Sequence, residues 1–274
     1  MAEAAGLPSS VTLVGAGKMG LALLQGWAAR GLTGEGVAIL EPNPSPELKT
    51  LAEERGFRLN PQQRDAPEAL VLAIKPQLLD IVAPSIAADT ARNALVISIL
   101  AGKRVEDLAA RLPQASAIVR AMPNTPAAIG RGITGAFASP AVSPAQRKSA
   151  HALLASVGEV EWVESEALID AVTAVSGSGP AYVFYFVETL TRAGVDAGLP
   201  EATAARLART TVAGAGELLR RSPDVSPAAL RENVTSPGGT TAAALQTLMA
   251  EDGLGPLLKR AVRAAKRRAE ELSG

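Results

Sequence analysis

The chain has 274 residues, no cysteine, one histidine (His151), and 27 basic against 27 acidic side chains. That balance leaves no global field for gripping nucleic acid or an anionic membrane, and the missing thiols exclude disulfides, thiolate catalysis and Cys-ligated metals. A histidine relay has a single possible member and no metal cluster can be built around it, so no metal site is expected and a small molecule is the default partner.

The length suits one large domain or two modest ones. Residues 1–10, MAEAAGLPSS, lack the basic start and long apolar run of a secretory signal. No stretch approaches the roughly 20 apolar residues of a membrane span, and a cytoplasmic protein is expected. Residues 11–20, VTLVGAGKMG, then run four apolar residues into Gly15, Gly17 and Gly20 in G-x-G-x-x-G spacing. This reads as a strand, a tight turn and a helix start. Gly15 permits the turn, Gly17 leaves room for a pyrophosphate, and Gly20 lets the helix pack closely. The phosphates would meet the helix N-terminus, where unpaired N–H groups and the dipole favour negative charge.

A helix to about residue 30 leads to a strand at 37–41, with Glu41 about twenty residues past Gly20. A carboxylate there accepts from a ribose 2'-hydroxyl and repels a 2'-phosphate, which favours NADH over NADPH; the alternative is an exposed strand-end acid. Asn43 and Ser45 in the next loop are donors suited to a phosphate. Ser45-Pro46 starts a helix and Gly56 stops it. A strand at 57–59 ends at Asn60, and the apolar run 69–74 delivers Lys75-Pro76 at the edge where an open α/β sheet binds ligands. Lys75 is either a ligand contact or a solvated loop lysine.

Further strands are expected at 94–100, ending in Ala101-Gly102, and at 117–122, entering the stiff loop Pro123-Asn124-Thr125-Pro126. A strand at 134–138, a helix capped by Ser143-Pro144 and stopped at Gly158, and a strand at 160–163 complete a half in which strands alternate with helices, the pattern of a doubly wound sheet. From residue 164 onward strand signals cease. The expected division is 1–163 and 164–274. A helix from 167 meets Ser176-Gly177-Ser178-Gly179-Pro180, where proline forces a break or kink. The following stretch concentrates Tyr182, Phe184, Tyr185 and Phe186 as core or subunit interface, Tyr182 being the one weighed as a ligand contact. Helices at 201–221 and 227–234 carry alanine-rich faces able to close on a second subunit. The basic run 259–268 reads as a solvated helix face. Before it, VTSPGGTTAAAL at 234–245 opens a helix with Thr240 and Thr241 in its first turn: either a seat for a small carboxylate or an ordinary cap.

Taken together, the glycine turn, Ala73-Ile74-Lys75-Pro76, Met122-Pro123-Asn124-Thr125-Pro126, Ser176 to Ala181 and Val234 to Thr241 resemble pyrroline-5-carboxylate reductase in order and spacing along the whole chain. The resemblance implies hydride transfer from NAD(P)H to the C=N carbon of 1-pyrroline-5-carboxylate, the last step of proline biosynthesis. It implies a Rossmann-type N-terminal domain and an all-helical C-terminal domain that binds substrate and forms a homodimer, often assembled into larger rings. It also implies that Gly15, Ala16, Gly17, Lys18, Met19 and Gly20 face the pyrophosphate, with Asn60, Ala73, Lys75, Pro76 and Ala101 lining the cofactor. Asn124 falls at the nicotinamide end. Ser236, Gly239, Thr240 and Thr241 receive the substrate, with Ser176 and Ser178 nearby, and Thr241 with Thr240 is the candidate catalytic pair. One departure is Glu41-Pro42-Asn43-Pro44, where many relatives have an Asn-Arg pair suited to NADPH: an acid precedes Asn43 here and proline replaces the arginine. NADPH and NADH therefore both stay open. Two other readings compete, a β-hydroxyacid dehydrogenase-like oxidoreductase and a non-catalytic NAD(P)-binding dimeric sensor. The first would be expected to carry a catalytic lysine on the first long helix of its second domain, and none is present there.

Overall fold

Eight strands form one sheet in the order β3-β2-β1-β4-β5-β6-β7-β8 in a computed structural model that describes residues 6–90 and 94–273. Half of the N-terminal stretch discussed above, residues 1–5, lies outside the described residues. In chain order the elements are β1 (Val11–Val14), α1 (Lys18–Ala29), β2 (Val37–Leu40), α2 (Pro46–Arg55), β3 (Arg58–Leu59), β4 (Ala69–Leu72), α3 (Leu79–Ile86), β5 (Leu95–Ser98), α4 (Val105–Arg111) and β6 (Ala117–Met122). There follow β7 (Gly132–Ala138), α5 (Pro144–Leu154), β8 (Gly158–Trp162), α6 (Leu168–Val172), a π-helical turn at Thr173–Gly177, α7 (Gly179–Asp196), α8 (Glu201–Arg221), α9 (Pro227–Asn233), α10 (Thr240–Leu248) and α11 (Leu254–Leu272).

The sheet is covered on both faces, as its composition requires. Strands β1, β4 and β5 are buried along their whole length, the signature of parallel strands with helices above and below. Alternate residues sort into two cores. Val71, Ile97 and Val119 pack with Leu23, Trp27, Leu48 and Leu153 from α1, α2 and α5. Leu70, Val96 and Ile118 pack with Leu79, Ile86 and Leu108 from α3 and α4. The period of two along each strand thus assigns every side chain to one face.

Three features differ from the sequence-based expectation. The runs at 37–41 and 69–74 form shorter strands because β1, the partner of both, stops at Val14, and the run at 94–100 is paired with β4 only over Leu95–Ser98. Glu41, Ala73 and Leu100 consequently lie just beyond strand ends. The sheet is also not parallel throughout: β7 pairs antiparallel with β6, and β8 runs parallel to β7. The segment joining β6 to β7 is shorter than the dozen or so residues a parallel crossover needs. Finally, the break at Pro180 is a local widening of the helix into a π turn rather than a loop. The chain passes from α6 through the π turn, with the Ser178 N–H donated to Thr173 O at 2.8 Å, and restarts as α7. Such π turns are frequent at functional sites.

The chain divides into two compact units, one running to Ser178 and also containing the segment from Ala265 on, the other Gly179–Ala264. The first extends past residue 163, where strands end, because α6 packs onto it: Ile169 and Asp170 are buried, and Gly135 leaves room for Val172. Among the described residues its most buried cation is Arg120 on β6, 3% exposed, which pairs with Glu166 at 3.3 Å and Asp170 at 3.7 Å. Ser273 donates its hydroxyl to the same Asp170 at 3.2 Å, and Glu166 also accepts the Val105 N–H at 2.8 Å. One guanidinium therefore ties β6 to α6, to the start of α4 and to the C-terminal residues.

In the second unit α7 and α8 pack together, and only Ala204 and Ala208 of its helices are buried. Within the single chain Phe184 and Tyr185 stay 61% and 60% exposed, more apolar surface than an isolated helical unit sustains. The basic run of α11 forms pairs along its own helix, Lys266 with Glu270 at 2.6 Å and Arg268 with Glu271 at 2.8 Å. No helix among the described residues is long and apolar enough to cross a membrane.

Removing one member of the buried cluster strands the other. Asp170→Ala should lower the unfolding free energy by about 3 kcal/mol in urea titration, since it leaves Arg120 short of a carboxylate in a dry site, whereas Glu159→Ala on exposed β8 should shift it by no more than about 0.5 kcal/mol.

Candidate functional site

The three glycines after β1 do three different jobs. Gly15 has φ +89°, donates its N–H to Leu40 O at 2.8 Å, and has no room for a Cβ, which would sit 2.8 Å from Ala73 O. At Gly20 a Cβ would overlap the carbonyl oxygen of Gly15, so α1 can approach the turn only without a side chain there. Gly17 is the opposite case. It faces open space, with no atom within 4 Å of a Cβ built on it. Gly17 is also the N-cap of α1, and no side chain caps that helix, so the first-turn amides of Lys18 and Met19 are presented to whatever fills the space. An anion with a thin approach, such as a pyrophosphate, fits that cradle.

Beside the turn opens a cleft of about 520 Å³. It gathers Gly15 and Gly17, Glu41 and Asn43 from the loop after β2, Asn60 from the end of β3, and Ala73 and Lys75 from the loop after β4. These elements meet because β2 and β4 flank β1 on either side, the switch point at which an open α/β sheet binds its ligand. Among the described residues, Lys75 is the one cation and Glu41 the one acid lining the cleft. Leu78, Val82 and Ser85 also line it and were not anticipated. The i, i+4 spacing of Leu78 and Val82 was the available signal, but α3 is a short helix with Pro84 inside it, which hides the pattern.

Glu41 is held rather than free. One carboxylate oxygen accepts the Ala16 N–H at 2.9 Å and the other accepts the Asn43 N–H at 3.0 Å. The acid at the end of β2 is thereby fixed against the glycine turn, and Ala16 contributes through its amide.

The other expected residues of the first unit fall outside this cleft. Pro76 opens a short 3₁₀ turn before α3. Ala101 is exposed in the turn after β5. Asn124 is 9% exposed, and both ends of its amide are engaged: Oδ1 accepts the Ile133 N–H at 3.0 Å and Nδ2 donates to Ser176 O at 3.2 Å. It braces the loop after β6 against β7 and the π turn. The Ser176 hydroxyl donates to Val172 O at 3.1 Å, and Ser178 closes the π turn through its N–H. His151 sits on α5, where Nδ1 accepts from the Trp162 indole at 3.3 Å.

In the second unit Ser236, Pro237, Gly238 and Gly239 form a turn closed by the Gly239 N–H on Ser236 O at 3.0 Å. Gly239 is the N-cap of α10, again without a side-chain cap, and Thr240 and Thr241 are its first two residues. This terminus offers free backbone donors and begins with two hydroxyl-bearing residues, a donor set suited to a carboxylate.

A family model described as pyrroline-5-carboxylate reductase dimerisation matches residues 166–272, and one described as NADP oxidoreductase, coenzyme F420-dependent, matches residues 10–102. The pyrroline-5-carboxylate reductase of Pseudomonas aeruginosa is 38% identical over 96% of this chain and 96% of its own. Among solved structures, a pyrroline-5-carboxylate reductase from Coxiella burnetii superposes with a TM-score of 0.88 at 35% identity, covering 97% of this chain and 99% of its own. The Plasmodium falciparum pyrroline carboxylate reductase, solved with NADP bound, gives 0.75 at 27% identity over 98% and 100%.

The two glycine environments separate binding from folding. Gly17→Ala should leave the thermal midpoint within about 2 °C of the parent while weakening dinucleotide binding at least about tenfold; Gly20→Ala should instead lower the midpoint, because its methyl group meets the Gly15 carbonyl. Calorimetry with and without NADH reads both.

Proposed function

The chain belongs to the pyrroline-5-carboxylate reductase family, and we infer from that membership and from its cleft that it reduces the C=N bond of 1-pyrroline-5-carboxylate to give proline. The observation that carries the cofactor half is the open face of Gly17 at an uncapped helix N-terminus, beside an acid at the end of β2. NAD(P)H, when bound, supplies the hydride. The first unit's part is to hold the pyrophosphate on the amides of Gly17, Lys18 and Met19 and the adenosine end between Glu41, Asn43, Asn60 and the apolar Leu78 and Val82. Ala73, Lys75, Pro76, Ala101 and Asn124 are assigned to the remainder of the cofactor by the family pattern.

We assign the chain a preference for NADH. Glu41 lines the cleft with its carboxylate fixed by the Ala16 and Asn43 N–H groups. Such a group accepts hydrogen bonds from a ribose 2'-hydroxyl and repels a 2'-phosphate at short range. Among the described residues Lys75 is the sole cation lining the cleft, and no arginine stands beside Asn43 in the sequence to offset the repulsion.

The substrate half is assigned to residues 164–274, the helical, self-associating part. Between Lys148 and Lys259 the sequence has no lysine, and beyond His151 no histidine. A ketone reductase must protonate an alkoxide and keeps an acid within reach. A cyclic imine, once protonated on nitrogen, already carries the proton and the positive charge. Hydride addition to its carbon leaves a neutral amine, and orientation is the main requirement. In this assignment the α10 N-terminus with Ser236, Gly239 and Thr240 receives the carboxylate, and Thr241 holds the ring nitrogen's proton by its hydroxyl; Ser176 and Ser178 are counted among the substrate residues by the family pattern alone. The absence of a catalytic lysine weighs against the β-hydroxyacid dehydrogenase alternative, and relatives that are reductases along their full length weigh against the sensor. The chain is a homo-oligomer, which we take to be a dimer built on the helical part.

Two measurements test these assignments. With racemic pyrroline-5-carboxylate at neutral pH, kcat/KM for NADH should exceed that for NADPH by at least about tenfold, and Glu41→Ala should narrow the gap mainly through KM; equal use of both cofactors by the parent would remove Glu41 from the selection. Thr241→Val removes one hydrogen bond to the reacting ring and should lower kcat/KM by about 10- to 100-fold, and unchanged turnover and affinity would show that Thr241 has no such role.

A further inference from the structure

Among the described residues, Asn60 is the one non-glycine residue with a positive φ, +49°. Asparagine tolerates that left-handed region better than most residues, but it is still an uncommon conformation. The geometry around it shows what the conformation achieves. The Asn60 N–H donates to Ile39 O at 2.8 Å, which is the last rung of the parallel ladder between β2 and β3. The backbone then turns left-handed into Pro61, and the ladder continues through the side chain. Oδ1 of Asn60 accepts the Glu41 N–H at 2.9 Å, and Nδ2 donates to Glu41 O at 2.8 Å. A single carboxamide thus pairs with both main-chain groups of one residue, as a neighbouring strand would.

Glu41 has little freedom left. Its N–H and C=O are both taken by Asn60, its rotation toward the next residue is narrowed by Pro42, and its carboxylate is bracketed by the N–H groups of Ala16 and Asn43. An acid at the tip of a short strand in an open cleft would otherwise sample several rotamers and swing away from an incoming phosphate. Held in this way, it meets every dinucleotide in one position.

We propose that Asn60 is a positioning residue for cofactor selection: beyond lining the cleft, it acts on discrimination at the 2' position through Glu41, by clamping that residue's backbone. This rests on the reading above that Glu41 disfavours a 2'-phosphate. The proposal separates affinity from selectivity. Loss of the clamp leaves the α1 N-terminus and the apolar wall intact, so the common part of the ligand still binds, while discrimination at the 2' position relaxes.

The test uses ligands that lack the nicotinamide, so that turnover plays no part: ADP-ribose and 2'-phospho-ADP-ribose, titrated calorimetrically into the full-length protein. Asn60→Gly keeps the left-handed backbone and deletes the clamp. Asn60→Ser keeps a polar group too short to reach both Glu41 partners, and serves if the glycine variant melts early. In the parent, ADP-ribose should bind the tighter of the two. Asn60→Gly should reduce that ratio by about tenfold, and Glu41→Ala should reduce it at least as far. In a Glu41→Ala background Asn60→Gly should change the ratio no further, the non-additivity expected of two residues acting as one. If Glu41→Ala leaves the ratio unchanged, the reading of Glu41 fails and the proposal fails with it. If Glu41→Ala narrows the ratio but Asn60→Gly weakens both ligands equally, the reading stands and the proposal alone is overturned. A change of ratio that persists in the Glu41→Ala background would also overturn it, by showing that Asn60 acts on selection by itself and not through Glu41.

Discussion

The dinucleotide cleft depends on how closely the start of α1 approaches the end of β1. Neither Gly15 nor Gly20 has room for a Cβ, each being pressed against main-chain oxygen. That closeness brings the Ala16 N–H within 2.9 Å of Glu41. It also lets the turn bond to both neighbouring strands, through the Gly15 N–H on Leu40 O and the Ala73 N–H on Val14 O. The turn, the acid after β2 and the loop after β4 are therefore one hydrogen-bonded body. A helix displaced by the width of a methyl group would break the Ala16 contact and fill the space that Gly17 keeps open. The same sterics thus create the phosphate cradle and place the selecting acid.

The two units meet the demands of burial in different ways. The first has strands long and apolar enough to fill a core on each face of its sheet, anchored by Trp27, whose indole N–H reaches Leu153 O at 2.9 Å. The second spends its apolar side chains outward: α7 has no buried residue in the single chain. Each large side chain left in water forgoes roughly 1.5–3 kcal/mol of burial, and α7 alone exposes Val183, Phe184, Tyr185, Phe186 and Leu190. A second copy is the natural source of the missing cover, in agreement with the dimerisation model that matches residues 166–272.

What was legible in the sequence was local. Ser45, Ser143 and Ser226 cap the helices expected after them, each accepting an N–H three residues on, and α8 spans the residues its periodicity indicates. The glycine turn was legible because its three residues have independent steric reasons. Contacts between distant segments were hidden. Nothing near Asn124 in sequence indicates that its amide would bridge Ile133 and Ser176. Nothing near Asn60 shows that its side chain would continue a ladder onto Glu41. The reversed β7 follows from the length of one loop, a weak signal beside the alternation of strands and helices in the rest of the half.

The chemistry proposed for the helical part also has an electrostatic logic. A carboxylate is commonly held by arginine or lysine, yet residues 233–250, which contain Thr240 and Thr241, include no charged side chain. For a substrate that reacts as a protonated imine, a full positive charge beside the ring would disfavour the iminium and empty the reactive state. Hydroxyls and the amides of an uncapped helix N-terminus offer partial charges only. They can hold an anion at one end of a five-membered ring with less penalty to a cation at the other. A neutral anchor is then the better solution for this reaction, and it accounts for a helical half that dispenses with lysine and histidine up to residue 258.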